Sequence, residues 1–166
     1  MKIINQDILT VESGVICQQV NCQGVMGSGL AKQIRDKWPN VYSSYIAFSN
    51  RWNNDFQRLG SVNLVHISEK LIIANCFGQL NYGYDGKRYT DYAALNDCFC
   101  FLSSRRELDL DIYFPYLLGC DRGGADLAQV PAVVCNQTRC PSASDRPDPA
   151  WCAGSSSDLR APCVRP

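Results

Sequence analysis

Two glycine-rich stretches carry the residue types in this chain best suited to chemistry on an anion. The first reads VNCQGVMGSGLAKQI over residues 20–34. It places Asn21 at the end of an apolar run and then sets Gly24, Gly27 and Gly29 within six residues. Glycine lets a backbone approach a ligand closely, and a helix start offers unpaired N–H groups at the positive end of its dipole. A strand feeding such a turn and then a helix is a natural phosphate site. The plainer reading is a tight connection with nothing bound. The second stretch, GCDRGGAD, covers residues 119–126. It adds Arg122, either an anion partner or a solvated charge. Its acids Asp121 and Asp126 could position a water or act as a base, and turn chemistry explains them as readily.

The remaining reactive side chains are less pointed. His66 is the lone histidine and sits in a strand pattern away from both loops, so a structural role is expected. Cys17, Cys22, Cys76, Cys98, Cys100 and Cys120 form no CxxC pair and read as reduced thiols in a core. Cys22, Cys76 and Cys120 lie beside the glycine stretches and could line a pocket. Neither a metal site nor a cofactor is expected.

The elements that must position these groups follow from the hydrophobic pattern. Strands are expected at residues 2–5 and 15–20, then a helix from about 29 to 37, stopped by Pro39. Residues 41–50 read as a further helical turn or two. Residues 61–68 and 71–76, separated by Glu69 and Lys70, read as a hairpin. Residues 81–87 read as a loop, 89–107 as a helix with Tyr92, Leu95, Phe99 and Leu102 on one side, and 111–118 as an apolar strand. Interleaved strands and helices imply an α/β sandwich with a parallel or mixed sheet. Ligands in such sheets sit beyond the carboxyl ends of strands, where both glycine stretches fall, and two such loops at one edge clamp a phosphate better than one.

Bulk properties narrow the partners. Lys+Arg and Asp+Glu balance at 16 each among 166 residues, which argues against a broad nucleic-acid footprint or a membrane surface. No apolar run approaches the roughly 20 residues of a membrane span. The opening MKIINQDIL does not read as a secretory signal, so a cytoplasmic location is expected. Composition breaks after Leu127: residues 128–166 hold six of eight prolines and four of ten cysteines, with no Lys, Glu, Ile, Phe, Tyr, Met or His. The expected division is therefore a folded domain over 1–127 and a Pro/Ser/Cys-rich tail over 128–166, disordered or aberrant. A knot through Cys135, Cys140, Cys152 and Cys163 is the lesser alternative, since their spacing fits no zinc pattern.

Two common nucleotide loops do not fit. A dinucleotide-binding loop needs G-x-G-x-x-G and an acid about 20 residues on; a P-loop needs lysine directly after its last glycine. Here the glycine spacing is reversed, and Gly29 is followed by Leu30 and Ala31.

The succession QDIL (6–9), VNCQGVMGSGLA (20–31) and FPYLLGCDRGGAD (114–126) resembles a macrodomain. It is most similar to the phage and bacterial branch that includes ADP-ribose 1''-phosphate phosphatases and terminal ADP-ribose glycohydrolases. The resemblance implies a three-layer α/β/α sandwich with a mixed sheet. It implies that ADP-ribose, free or attached to a small molecule or protein, is the ligand of a monomer. Asp7 would accept from the adenine amino group, and Ile8 would add a backbone contact. Asn21 would stand near the distal ribose. Gly27, Ser28, Gly29 and Leu30 would form one phosphate loop. Gly119, Cys120, Asp121, Arg122, Gly123 and Gly124 would wrap the diphosphate and distal ribose. Asp7 could instead only cap a helix, and Asn21 only tie down its turn.

The resemblance also has gaps. Glycohydrolase relatives attack the ribose with a lysine after the middle strand, assisted by an aspartate in the second loop. Here Cys76 and Gly123 fall at the matching positions, so that covalent route is not expected. Hydrolysis by a positioned water remains, with Asn21 and Asp121 or Asp126 as its candidate catalytic residues. Binding without turnover and an inert homologue are the alternatives. The family ends with a helix and a strand that the tail cannot supply, so those elements are expected to be missing or replaced, by a frameshift or a substituted terminus.

Overall fold

The computed structural model describes residues 6–105, 110–126 and 129–130. The strand expected at 2–5 and the cysteines beyond Cys120 lie outside them, as does all of the tail except 129–130.

After a 3-10 turn at Ile8–Thr10, the chain runs β1 (Gly14–Asn21), α1 (Gly29–Lys37), α2 (Pro39–Ser49), α3 (Asp55–Arg58), β2 (Val62–His66), β3 (Leu71–Gln79), α4 (Tyr92–Ser104) and β4 (Ile112–Tyr113). The sheet order is β2-β3-β1-β4. β1 is parallel to β3 and β4, and β2 is antiparallel to β3. The sheet is thus mixed, as expected.

Strand side chains alternate between two cores. Val15, Cys17, Ile72, Ala74 and Cys76 face Leu95, Cys98, Phe99 and Leu102 of α4. Ile16, Val20, Ile73 and Phe77 face Ile34 of α1 and Val41 and Tyr45 of α2. These are the three layers of an α/β/α sandwich. With both faces covered, β1 and β3 read as near-continuous apolar runs.

Several boundaries differ from the sequence reading. The apolar stretch 111–118 forms strand only at Ile112–Tyr113. Pro115 cannot donate to a ladder, and the chain turns at once, with Leu118 N–H on Pro115 O and Cys120 N–H on Leu117 O. The helix expected from residue 89 starts at Tyr92, because Thr90 bridges to Gln79 and Asp91 caps the helix through Ala94 N–H. Pro39 begins α2 as well as closing α1. The short α3, capped by Asn54, was not legible. No described helix is long and apolar enough to cross a membrane.

Candidate functional site

β4 stops pairing with β1 at Ile16↔Tyr113, while β1 runs on to Asn21. Between the end of β1 and the turn after β4 opens a cleft of about 360 Å³. Of the residues singled out in the sequence, Asn21, Gly27, Ser28, Gly29, Leu30, Gly119, Asp121, Arg122 and Gly123 line it. Both glycine stretches therefore face one space. Asp7, Ile8, Cys120, Gly124 and Asp126 lie outside that lining.

The first loop is fastened by Asn21. Its Nδ2 donates to Val25 O at 2.7 Å, and its Oδ1 accepts from the N–H groups of Gln23 and Val25 at 2.9 and 3.2 Å. The Tyr45 hydroxyl donates to Asn21 O at 2.6 Å, and burial pushes that phenol above its usual range. Arg58 holds the next residue by donating to Cys22 O at 2.6 Å; it also pairs with Asp55. The turn then delivers the start of α1 to the cleft. Ser28 is the N-cap, its side chain makes no capping bond, and no acid occupies the first turn. The 3-10 turn, α3 and α4, by contrast, are capped by Asp7, Asn54 and Asp91. The leading N–H groups of α1 are left to the cleft, and that end of the helix favours an anion.

The second loop is pinned from the sheet. Gln19 Nε2 donates to Gln79 Oε1 at 2.6 Å and to Thr90 Oγ1 at 2.9 Å. Thr90 Oγ1 in turn donates to Gly119 O at 3.1 Å. The N–H groups of Tyr89 and Thr90 hold Gly123 O at 2.8 and 2.9 Å. Gly119 has φ +74°, and a side chain there would strike Gln19. Arg122 stands over the Tyr84 ring at 4.7 Å and 3.9 Å from Asp121. Tyr82 and Tyr84 complete the wall.

Of the three thiols beside the glycine stretches none lines the cleft, and Cys22 and Cys76 are buried as the core reading expects. Cys76 is fully buried beneath α4 rather than lining the cleft, and the adjacent Cys17 thiol and burial hold its pKa well up. The middle-strand residue that reaches the cleft is Gln79. Cys22 is also buried, its thiol pushed up to about 11 chiefly by burial. Cys120 lies outside the cleft lining. Asp7 spends Oδ1 on Leu9 N–H at 3.0 Å, the capping role noted as its alternative. Asp126 lends its N–H to Tyr92 Oη at 2.7 Å.

Sequence reasoning missed Gln18, Gln19, Gln79 and Thr90. The signal was present: two adjacent glutamines interrupt an otherwise apolar central strand. Among the described residues no lysine or histidine lines the cleft, and no group of acids, histidines or cysteines could hold a metal.

No protein-family model and no curated protein matches the sequence. Solved structures do. A Bacteroides thetaiotaomicron protein of unknown function superposes with TM-score 0.71 at 23% identity, covering 81% of this chain and 87% of its own. The macrodomain of Mycobacterium tuberculosis DarG gives 0.65 at 22%, covering 80% and 86%. Thermosipho africanus DarTG, solved with ADP-ribose, gives 0.64 at 16%, covering 79% of this chain and 36% of that one. Strand order, layering and these superpositions agree: this chain has the macrodomain fold.

Proposed function

We propose that the cleft binds ADP-ribose or an ADP-ribosylated molecule, its diphosphate held between the start of α1 and the second glycine loop. The observation that carries this reading is the uncapped N-terminus of α1 facing a second glycine loop across one cleft. Backbone N–H groups can hold a diphosphate without a basic surface, which suits a chain of zero formal net charge. The ADP-ribose carried by Thermosipho DarTG, of the same fold, supports the same ligand.

Within this reading Asp7 serves the adenine end. One of its oxygens caps the 3-10 turn, and a carboxylate has a second with which to accept from the adenine amino group. Ile8 adds its backbone, and Gly124 and Cys120 shape the loop from behind. Turnover is hydrolysis of an ester-linked or 1''-phosphate derivative by water positioned at Asp121, which lines the cleft. Covalent attack by lysine has no supporting group, since the strand end presents the Gln79 amide.

Binding without turnover is the second reading, favoured by the engagement of Asn21 within its own loop. Phosphate release from ADP-ribose 1''-phosphate separates the two. Release that disappears in Asp121→Asn, with ADP-ribose affinity retained, supports hydrolysis; no release from a protein that binds ADP-ribose supports the binding module.

A further inference from the structure

A row of amides crosses the sheet beneath the cleft. Asn63 Nδ2 on β2 donates to Ser44 Oγ of α2 at 3.3 Å. Asn75 Nδ2 on β3 donates to Asn63 Oδ1 at 3.0 Å. Gln18 Nε2 on β1 donates to Asn75 Oδ1 at 2.6 Å. Every donor points the same way, so turning Gln18 alone would set oxygen against oxygen at Asn75. The row ends at Gln18 Oε1, which has no hydrogen-bond partner among the described residues. Gln18 is 1% exposed and lines the cleft. Its Nε2 is held by Asn75 on β3, and its Oε1 is buried in a residue that lines the cleft.

A buried acceptor without a donor costs free energy, and it does so only until a donor arrives. Gln18 has committed one N–H toward Asn75, and its oxygen is left without a donor. The unpartnered atom is an acceptor, and a diphosphate at neutral pH is itself an acceptor, so that oxygen is not a partner for the diphosphate. The groups that flank the diphosphate of ADP-ribose are its two riboses, and these carry hydroxyl donors.

We propose that Gln18 is a specificity-determining residue whose Oε1 accepts a hydrogen bond from a ribose hydroxyl next to the diphosphate, with the Asn75–Asn63–Ser44 row fixing its orientation. The cleft then reads a sugar as well as an anion. This rests on the ADP-ribose reading of the same cleft.

The test is titration of wild type and Gln18→Met with ADP-ribose, ADP and inorganic pyrophosphate, with folding checked by circular dichroism. Methionine keeps the shape and removes the acceptor. Affinity for ADP-ribose should fall about tenfold or more, while any affinity for pyrophosphate stays the same. A loss confined to ADP-ribose assigns the hydroxyl to the distal ribose; an equal loss with ADP assigns it to the adenosine ribose. Unchanged affinity for ADP-ribose in a folded Gln18→Met overturns the assignment while leaving the ligand reading intact. Wild type that does not bind ADP-ribose overturns both. Should Gln18→Met not fold, the Gln18 side-chain carbonyl resonance of wild type decides: it must shift with ADP-ribose and not with pyrophosphate. A resonance that ignores ADP-ribose overturns the role.

Discussion

At the residue scale the cleft depends on groups with no room to change. A Cβ on Gly123 would press on Thr90 Oγ1 and Gly119 O, both part of the second loop's fastening. Gly123→Ala should therefore destabilise the fold by about 1–3 kcal/mol through overpacking and reduce ADP-ribose affinity. Thermal denaturation and titration check both. Gly29 differs: its φ is +57° and nothing lies within 4 Å of a Cβ there. Gly29→Ala should cost only about 1 kcal/mol of backbone strain. Equal stability losses at the two positions would contradict the packing account. The thiols give a complementary check. Cys17, Cys22, Cys76 and Cys98 are buried, and burial raises the Cys22 thiol to about 11. Iodoacetamide at neutral pH should leave these four unmodified in the folded protein and label them after denaturation.

At the element scale the proposed anion site depends on α1, whose first N–H groups no capping side chain takes up. Ser28→Asp puts a carboxylate at that end. It should stabilise the helix by about 0.5 kcal/mol and weaken ADP-ribose binding, because the new charge occupies the anion's place. A variant that gains stability without losing affinity would show that the ligand does not use this terminus. The tyrosine wall has its own anchor. The ion-paired hydrogen bond with Lys87, and then that with Tyr89, holds the Asp85 carboxyl down at about 2. A depressed carboxylate contributes its stability above its unfolded pKa of about 3.9, and here that contribution is lost as pH falls through about 2. A carbon-detected titration of Asp85 should show that low midpoint, and Lys87→Ala should move it toward the ordinary value.

The same scale shows what the sequence could disclose. Long periodic or apolar runs declared β1, β3, α1 and the β2–β3 hairpin, because burial on both faces or on one stripe writes itself into composition. Short elements did not declare themselves. β4 is cut to Ile112–Tyr113 by Pro115 and the turn behind it, a tertiary outcome hidden in an apolar stretch. The glycine loops and their helix start were legible, since special backbone geometry demands glycine. The polar floor beneath them was not. Gln18, Gln19 and Thr90 take their meaning from partners 57, 60, 71 and 29 residues away. Cys76 lies next to the glycine stretches in sequence order, and strand alternation decides between its two readings by turning it into the core.

At the scale of the whole molecule, two apolar cores on either side of a mixed sheet hold two loops over one opening. A ligand that binds only the folded state stabilises it by about 2.7 kcal/mol at a hundredfold excess over Kd, which for a chain of this size is a shift of roughly 5–10 °C in Tm. ADP-ribose should produce that shift. Calorimetric titration of the folded protein with ADP-ribose decides whether the cleft binds it. One saturable site per chain is expected, lost or strongly weakened in Ser28→Asp and Gly123→Ala. No heat of binding and no thermal shift from a demonstrably folded sample would contradict it.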